Sequence, residues 1–83
     1  MLYAKFMYPN NGHDCDVEYA KQMGLKVGKK YEVEDISMGQ SYTSIYLKGI
    51  NGSFNSVQFE FEESGKPIDI YRDPRYNPYL QYT

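Results

Sequence analysis

His13-Asp14-Cys15 places the chain's single histidine, an acid and its single cysteine side by side, the residue types that could supply a base and a nucleophile. A thiolate at work needs a base within hydrogen-bond reach and donors for the developing oxyanion. Adjacency in sequence supplies neither. The same segment, with Asp16 and Glu18, offers ligands to a metal. A structural zinc site takes four Cys or His ligands, and the chain has two. A calcium loop needs acids at alternate positions, a glycine and a distal Glu, a pattern that is missing. The expectation is a protein with no catalytic residues, no cofactor and no metal, in which His13 stands near a helix start and Cys15 packs beneath it.

A second group, Lys26, Lys29 and Lys30, could meet phosphate, with Arg72 and Arg75 as possible neighbours. Small barrels bind nucleic acid through a charged groove with stacking aromatics. Against this, Glu32, Glu34, Glu60, Glu62 and Glu63 occupy nearby strand positions, and the chain's net charge is −2. Nucleic-acid binding is therefore the alternative reading rather than the main one. The third group is aromatic: ten Tyr and four Phe in 83 residues, which serve equally as core and as contact surface.

The elements that must position these groups centre on residues 25–61. Tyr31-Glu-Val33, Thr43-Ser-Ile45-Tyr-Leu47 and Phe54-Asn-Ser-Val57-Gln-Phe59-Glu-Phe61 alternate apolar and polar residues at period two, the pattern of strands with one buried face. Setting Leu47 opposite Val57 puts Ile45 opposite Phe59 and Thr43 opposite Phe61 on one face. Val33 then opposes Ile45. This three-strand meander turns at Met38-Gly39-Gln40 and at Asn51-Gly52-Ser53. Asn55 falls on the inner face opposite Gly49 and must find hydrogen-bond partners there. The outer face would carry Ile36, Tyr42, Tyr46, Ile50 and Phe54, an apolar stripe that marks a contact surface. Tyr76, Tyr79 and Tyr82 of the tail could join it as partner-binding residues.

Residues 2–8 read as a first strand with Leu2, Ala4 and Phe6 on one side, stopped by Pro9-Asn-Asn-Gly12. Residues 14–23 carry early acids, a late Lys21 and a terminal Gly24, the marks of a short helix. Residues 67–71 form a last strand with Ile68 and Ile70 inward. The tail 72–83, with Asp-Pro and Asn-Pro steps, reads as a partly extended arm. No run approaches the roughly 20 apolar residues of a membrane span, and the N-terminus lacks a secretory pattern, so the expected location is cytoplasmic.

The run Gly28-Lys-Lys-Tyr31-Glu-Val33, a turn, Thr43-x-Ile45-x-Leu47, a glycine turn and Phe54-Asn-Ser-Val57-x-Phe59-Glu60 resembles the small SH3-like barrel proteins of bacterial phages and integrated mobile elements. The resemblance covers about half the chain and carries over no catalytic residues. It implies an accessory protein of a phage or mobile element. Together these readings predict an all-β fold: a five-stranded SH3-like barrel over 1–71 with one short helix between the first two strands. The strands are expected at 2–8, 29–37, 42–49, 54–62 and 67–71. The inward set is Phe6, Tyr31, Val33, Ile45, Leu47, Val57, Phe59, Phe61, Ile68 and Ile70. The function expected is non-enzymatic protein interaction, with a protein partner or a second copy and no membrane.

Overall fold

The computed structural model describes residues 1–82, the side chains through Leu80. Six strands form one antiparallel sheet: β1 (Leu2–Phe6), β2 (Lys30–Met38), β3 (Thr43–Leu47), β4 (Phe54–Asn55), β5 (Phe59–Glu63) and β6 (Lys66–Ile68). Their order across the sheet is β4-β3-β2-β1-β5-β6. One helix, α1 (Asp14–Gln22), separates β1 from β2. The protein is thus mostly β with a single short helix. The sheet is open and six-stranded rather than a closed barrel of five.

The largest departure from the expected register lies at residues 54–61. The alternation there suggested one continuous strand against β3. Instead β4 pairs with β3 through Ser44 and Asn55, Ile45 and Phe54. A 3-10 turn, Ser56–Gln58, follows, and β5 then pairs with β1 from Phe6 and Phe59 to Leu2 and Glu63. The turn is capped by Asn55, whose Oδ1 accepts the Val57 N–H at 3.2 Å. It resets the alternation, so Val57 points outward at 44% exposure while Ser56 and Gln58 are buried. Buried Gln58 donates through Nε2 to the Pro9 carbonyl at 3.1 Å, while its Oε1 has no hydrogen-bond partner among the described residues. Because β4 and β5 are three residues apart in sequence yet four places apart in the sheet, the sheet must coil to bring them together.

A second irregularity sits in β2. The pairing with β3 shifts between Val33 and Asp35, leaving Glu34 as a bulge. A bulge adds one residue to one strand, and with a period of two that sends the following side chains to the opposite face. Ile36, expected on the outer stripe opposite Tyr42, is therefore opposite Ile45 and packs against the core, as does Met38.

The core is Leu2, Ala4 and Phe6 from β1, Ile45 and Leu47 from β3, Phe54, Phe59, Phe61 and Ile70, with Ala20 from the helix. Phe59 is its hub, with ring centroids 5.5 Å from Phe6 and 6.3 Å from both Phe54 and Phe61. Most of the expected inward set holds, and Tyr31, Val33 and Ile68 pack against it half-buried. Val57 is the exception, for the reason just given. Helix α1 lies beside β4, where the Tyr19 ring tilts onto Phe54 at 5.3 Å and so shields a two-residue edge strand. Cys15, expected beneath the helix, is exposed at its first turn, and the residues that pack are further along, Tyr19, Ala20 and Met23.

The last expected strand is cut to Lys66–Ile68. Asp69 Oδ1 accepts the Tyr71 N–H at 2.9 Å and starts a second 3-10 turn, Ile70–Arg72. Rather than extending, the tail folds back: Arg75 bonds Glu63 at 2.7 Å and Asp73 at 2.6 Å, and the Tyr76 hydroxyl donates to Glu63 at 2.7 Å. Hydrogen bonds from Tyr76 and Arg75 hold the Glu63 carboxyl below its ordinary value, and Arg75 does the same for Asp73. No helix among the described residues is long and apolar enough to cross a membrane.

Candidate functional site

A cleft of about 750 Å³ is assembled from four separate segments. The β2–β3 hairpin contributes Met38 to Thr43, the start of α1 contributes His13, the first 3-10 turn contributes Asn55 to Val57, and the tail contributes Tyr71, Asn77 and Tyr79. Tyr42, Tyr71 and Tyr79 are each about 40% exposed, at 37%, 41% and 43%.

Asp16 ties three of these segments together from behind the cleft. Its Oδ2 accepts the His13 backbone N–H at 2.9 Å, closing the first turn of α1, and the Asn55 Nδ2 at 3.1 Å. Its Oδ1 accepts the Tyr42 hydroxyl at 2.7 Å. Burial alone would push the Asp16 carboxyl up, but the bonds from Tyr42, Asn55 and His13 outweigh it and hold the group below its ordinary value. Burial and the Asp16 carboxylate raise the Tyr42 phenol to about 12. Asn55 thus finds the partners its position demanded, although it opposes Ser44 rather than Gly49. Gly12 makes room: at φ +92°, a Cβ there would stand 2.9 Å from Asp16 Oδ2 and 3.1 Å from Asn55 Nδ2. On the opposite wall the Ser56 and Tyr71 hydroxyls share a hydrogen bond, and Asn77 Nδ2 donates to the Tyr71 carbonyl at 2.7 Å.

This network should be acid-sensitive. A carboxyl with a lowered folded-state value stabilises the fold above its unfolded value near 3.9 and loses that contribution as pH falls through the folded value. Thermal melts between pH 6 and about pH 2 should therefore lose stability below roughly pH 4, and Asp16→Asn should flatten that limb. Asp16→Ala should cost about 1–3 kcal/mol at neutral pH, because it strands the buried Asn55 donor. An acid limb unchanged by Asp16→Asn would show that the carboxylate is not linked to folding.

Of the residues marked in the sequence for partner binding, among those whose side chains are described, Tyr42 and Tyr79 line the cleft. Tyr46 is exposed on the outer face of β3. Ile36, Ile50 and Tyr76 are half-buried against the core, and Phe54 is in it at 2% exposure. Ile36 was turned inward by the bulge and Phe54 by its true register with Ile45, so no continuous outer stripe exists. The Tyr82 side chain lies outside the described residues. Ser56, Val57, Tyr71 and Asn77 were missed, since the first two reach the cleft through the first 3-10 turn, Tyr71 through the second, and Asn77 through the turn of the tail that follows Asp73. His13 lines the cleft and Cys15 does not, so the pair is not brought together there.

The lysine cluster stands at the other end of β2. Lys30 pairs with Glu62 at 2.6 Å, Lys48 with Glu32 at 3.3 Å, and Lys29 lies over the Tyr31 ring at 5.3 Å. The acids seen opposite the cluster in sequence are thus partners for part of it. Among the described residues, no group of three or more His, Cys, Asp or Glu side chains is arranged to hold a metal ion.

Comparison with curated proteins gives no match, and comparison with solved structures gives none either. A family model described as "Bacteriophage T4 protein Y07B" matches residues 1–82. That match spans β1, the helix, the coiled sheet and the tail that walls the cleft, and the chain accordingly belongs to the bacteriophage T4 Y07B protein family.

Proposed function

We propose that the protein is a non-enzymatic protein-interaction module of a phage and that its partner docks in the tyrosine-walled cleft. One observation carries the reading: among the described residues, the cleft lining includes three exposed tyrosines and no Asp, Glu, Lys or Arg, in a chain that is 24% charged. Interface centres are depleted in charge and enriched in Tyr, which offers a large rigid contact area at low entropic cost, with Ser and Asn supplying adaptable hydrogen bonds. The strand order β5-β1-β2-β3-β4, with a 3-10 turn linking the last strand to the first, supports an SH3-like reading of the coiled sheet. The Tyr42 and Ser56 hydroxyls favour binding over catalysis. Tyr42 is bonded to a carboxylate and raised to about 12, far from the neutral range where proton transfer works best, and Ser56 is engaged with Tyr71.

Val57 and Tyr79 are the most exposed of the cleft's large apolar and aromatic residues, at 44% and 43%, so Val57→Glu with Tyr79→Glu should leave the fold within a few degrees of wild type. Each buried apolar group contributes about 1.5–3 kcal/mol, so the double variant should weaken a complex by roughly 100-fold or more. The measurement is a pull-down from phage-infected host lysate with identification of the captured protein, then its Kd for both forms. Sedimentation tests self-association in parallel. Wild type that sediments as a monomer and captures nothing, or a double variant with unchanged Kd, would remove the reading.

A further inference from the structure

We infer that the cleft receives a basic side chain, a lysine or arginine carried on the partner and seated against the tyrosine faces, an inference that rests on the cleft being a docking site. The faces of aromatic rings carry partial negative charge and attract cations within about 6 Å of the centroid. Among the described residues the chain makes this contact itself: Lys29 lies over Tyr31 at 5.3 Å and Arg75 over Tyr76 at 5.1 Å. Among the described residues no such cation lies over Tyr42, Tyr71 or Tyr79, and no Lys or Arg lines their cleft. These three rings, each about 40% exposed, thus carry no cation of their own chain.

The charge behind the cleft sets the sign of the guest. Tyr42 donates its hydroxyl to the Asp16 carboxylate at 2.7 Å, which places a full negative charge at the ring's edge. An anionic guest would meet that carboxylate with no lysine or arginine in the lining and only the His13 side chain beside Asp16 to offset it, whereas a cation gains from the ring and the carboxylate together. The chain's net charge of −2 acts in the same direction. The polar lining of Asn55, Thr43, Gln40 and Asn77 suits the amide backbone that would carry the basic side chain.

The test uses the full chain and two small probes of matched shape, N-acetyl-arginine amide and its neutral isostere N-acetyl-citrulline amide. Each is titrated at low salt into isotope-labelled protein, and the backbone amide shifts of Tyr42, Asn55, Val57 and Tyr79 are followed. The arginine probe should bind at least about threefold tighter than the citrulline probe, and Tyr42→Leu or Tyr79→Leu should remove that preference while the rest of the spectrum stays in place. Asp16→Asn should narrow the ratio between probes, and the effect is read as electrostatic where the Tyr42 and Asn55 amide positions of the free variant match wild type and citrulline binding is unchanged. Equal binding of both probes would overturn the cation assignment and leave docking intact. Shifts confined to exposed acids such as Glu34 and Asp35 would overturn it as general counterion attraction. No shift up to about 100 mM, beyond the range of even a single weak contact, would also overturn it. The docking reading would then stand or fall on the Val57 and Tyr79 variants.

Discussion

Phe54→Glu is expected to leave no cooperatively folded protein at 25 °C. Phe54 is 2% exposed, edge-on to Phe59 at 6.3 Å and tilted against Tyr19 at 5.3 Å, so it joins the helix to the centre of the core. Truncating such a ring costs about 3–5 kcal/mol. A chain of this size has roughly 4–12 kcal/mol of stability at about 0.05–0.15 kcal/mol per residue. Phe54→Ala alone would thus consume a large part of the total, and a carboxylate in the same space adds the cost of an unpaired buried charge. Tyr46→Glu is the control. It lies one strand away on the outer face at 37% exposure and should melt within a few degrees of wild type. Far-ultraviolet circular dichroism with urea denaturation reads all three variants. A Phe54→Glu protein with a wild-type-like transition would return this residue to the surface.

Gly52→Ala is expected to cost about 2–5 kcal/mol, summed from three contributions. Gly52 has φ +82°, where a side chain is strained, and a Cβ there would stand 2.0 Å from the Tyr19 hydroxyl oxygen and 2.7 Å from Cζ. That hydroxyl donates to the Asn51 carbonyl at 2.8 Å, and the ring is held on Phe54, so it cannot swing away without loss. Expelling Tyr19 forfeits a hydrogen bond of about 0.5–1.5 kcal/mol and an aromatic pair of similar worth, beside about 1–2 kcal/mol of backbone strain. In a Tyr19→Ala background only the backbone part should remain. A double-mutant cycle by urea denaturation reads the difference, and equal costs in both backgrounds would show that the turn and the helix do not meet.

Period-two alternation was sufficient to place β1 and β3 with their inward residues Leu2, Ala4, Phe6, Thr43, Ile45 and Leu47, because on a regular strand each side chain's face follows from its neighbour's. The early acids, late lysine and glycine stop located the helix within a residue, since its end signals are local. The strand pairings were not local. In residues 54–61 the same alternation is interrupted by a turn whose supports are Asn55 on Asp16, Gln58 on Pro9 and Ser56 on Tyr71, contacts spanning up to 49 residues that no spacing rule encodes. The Glu34 bulge likewise reverses the face of Ile36 without a glycine or proline to announce it. The candidate site depended on both events. Tyrosine abundance in the sequence established that aromatic surface would exist, but which rings are open was decided by tertiary packing. Tyr42 comes from the β2–β3 hairpin and Tyr71 and Tyr79 from the tail, and only the coiling of the sheet and the return of the tail bring them to one cleft.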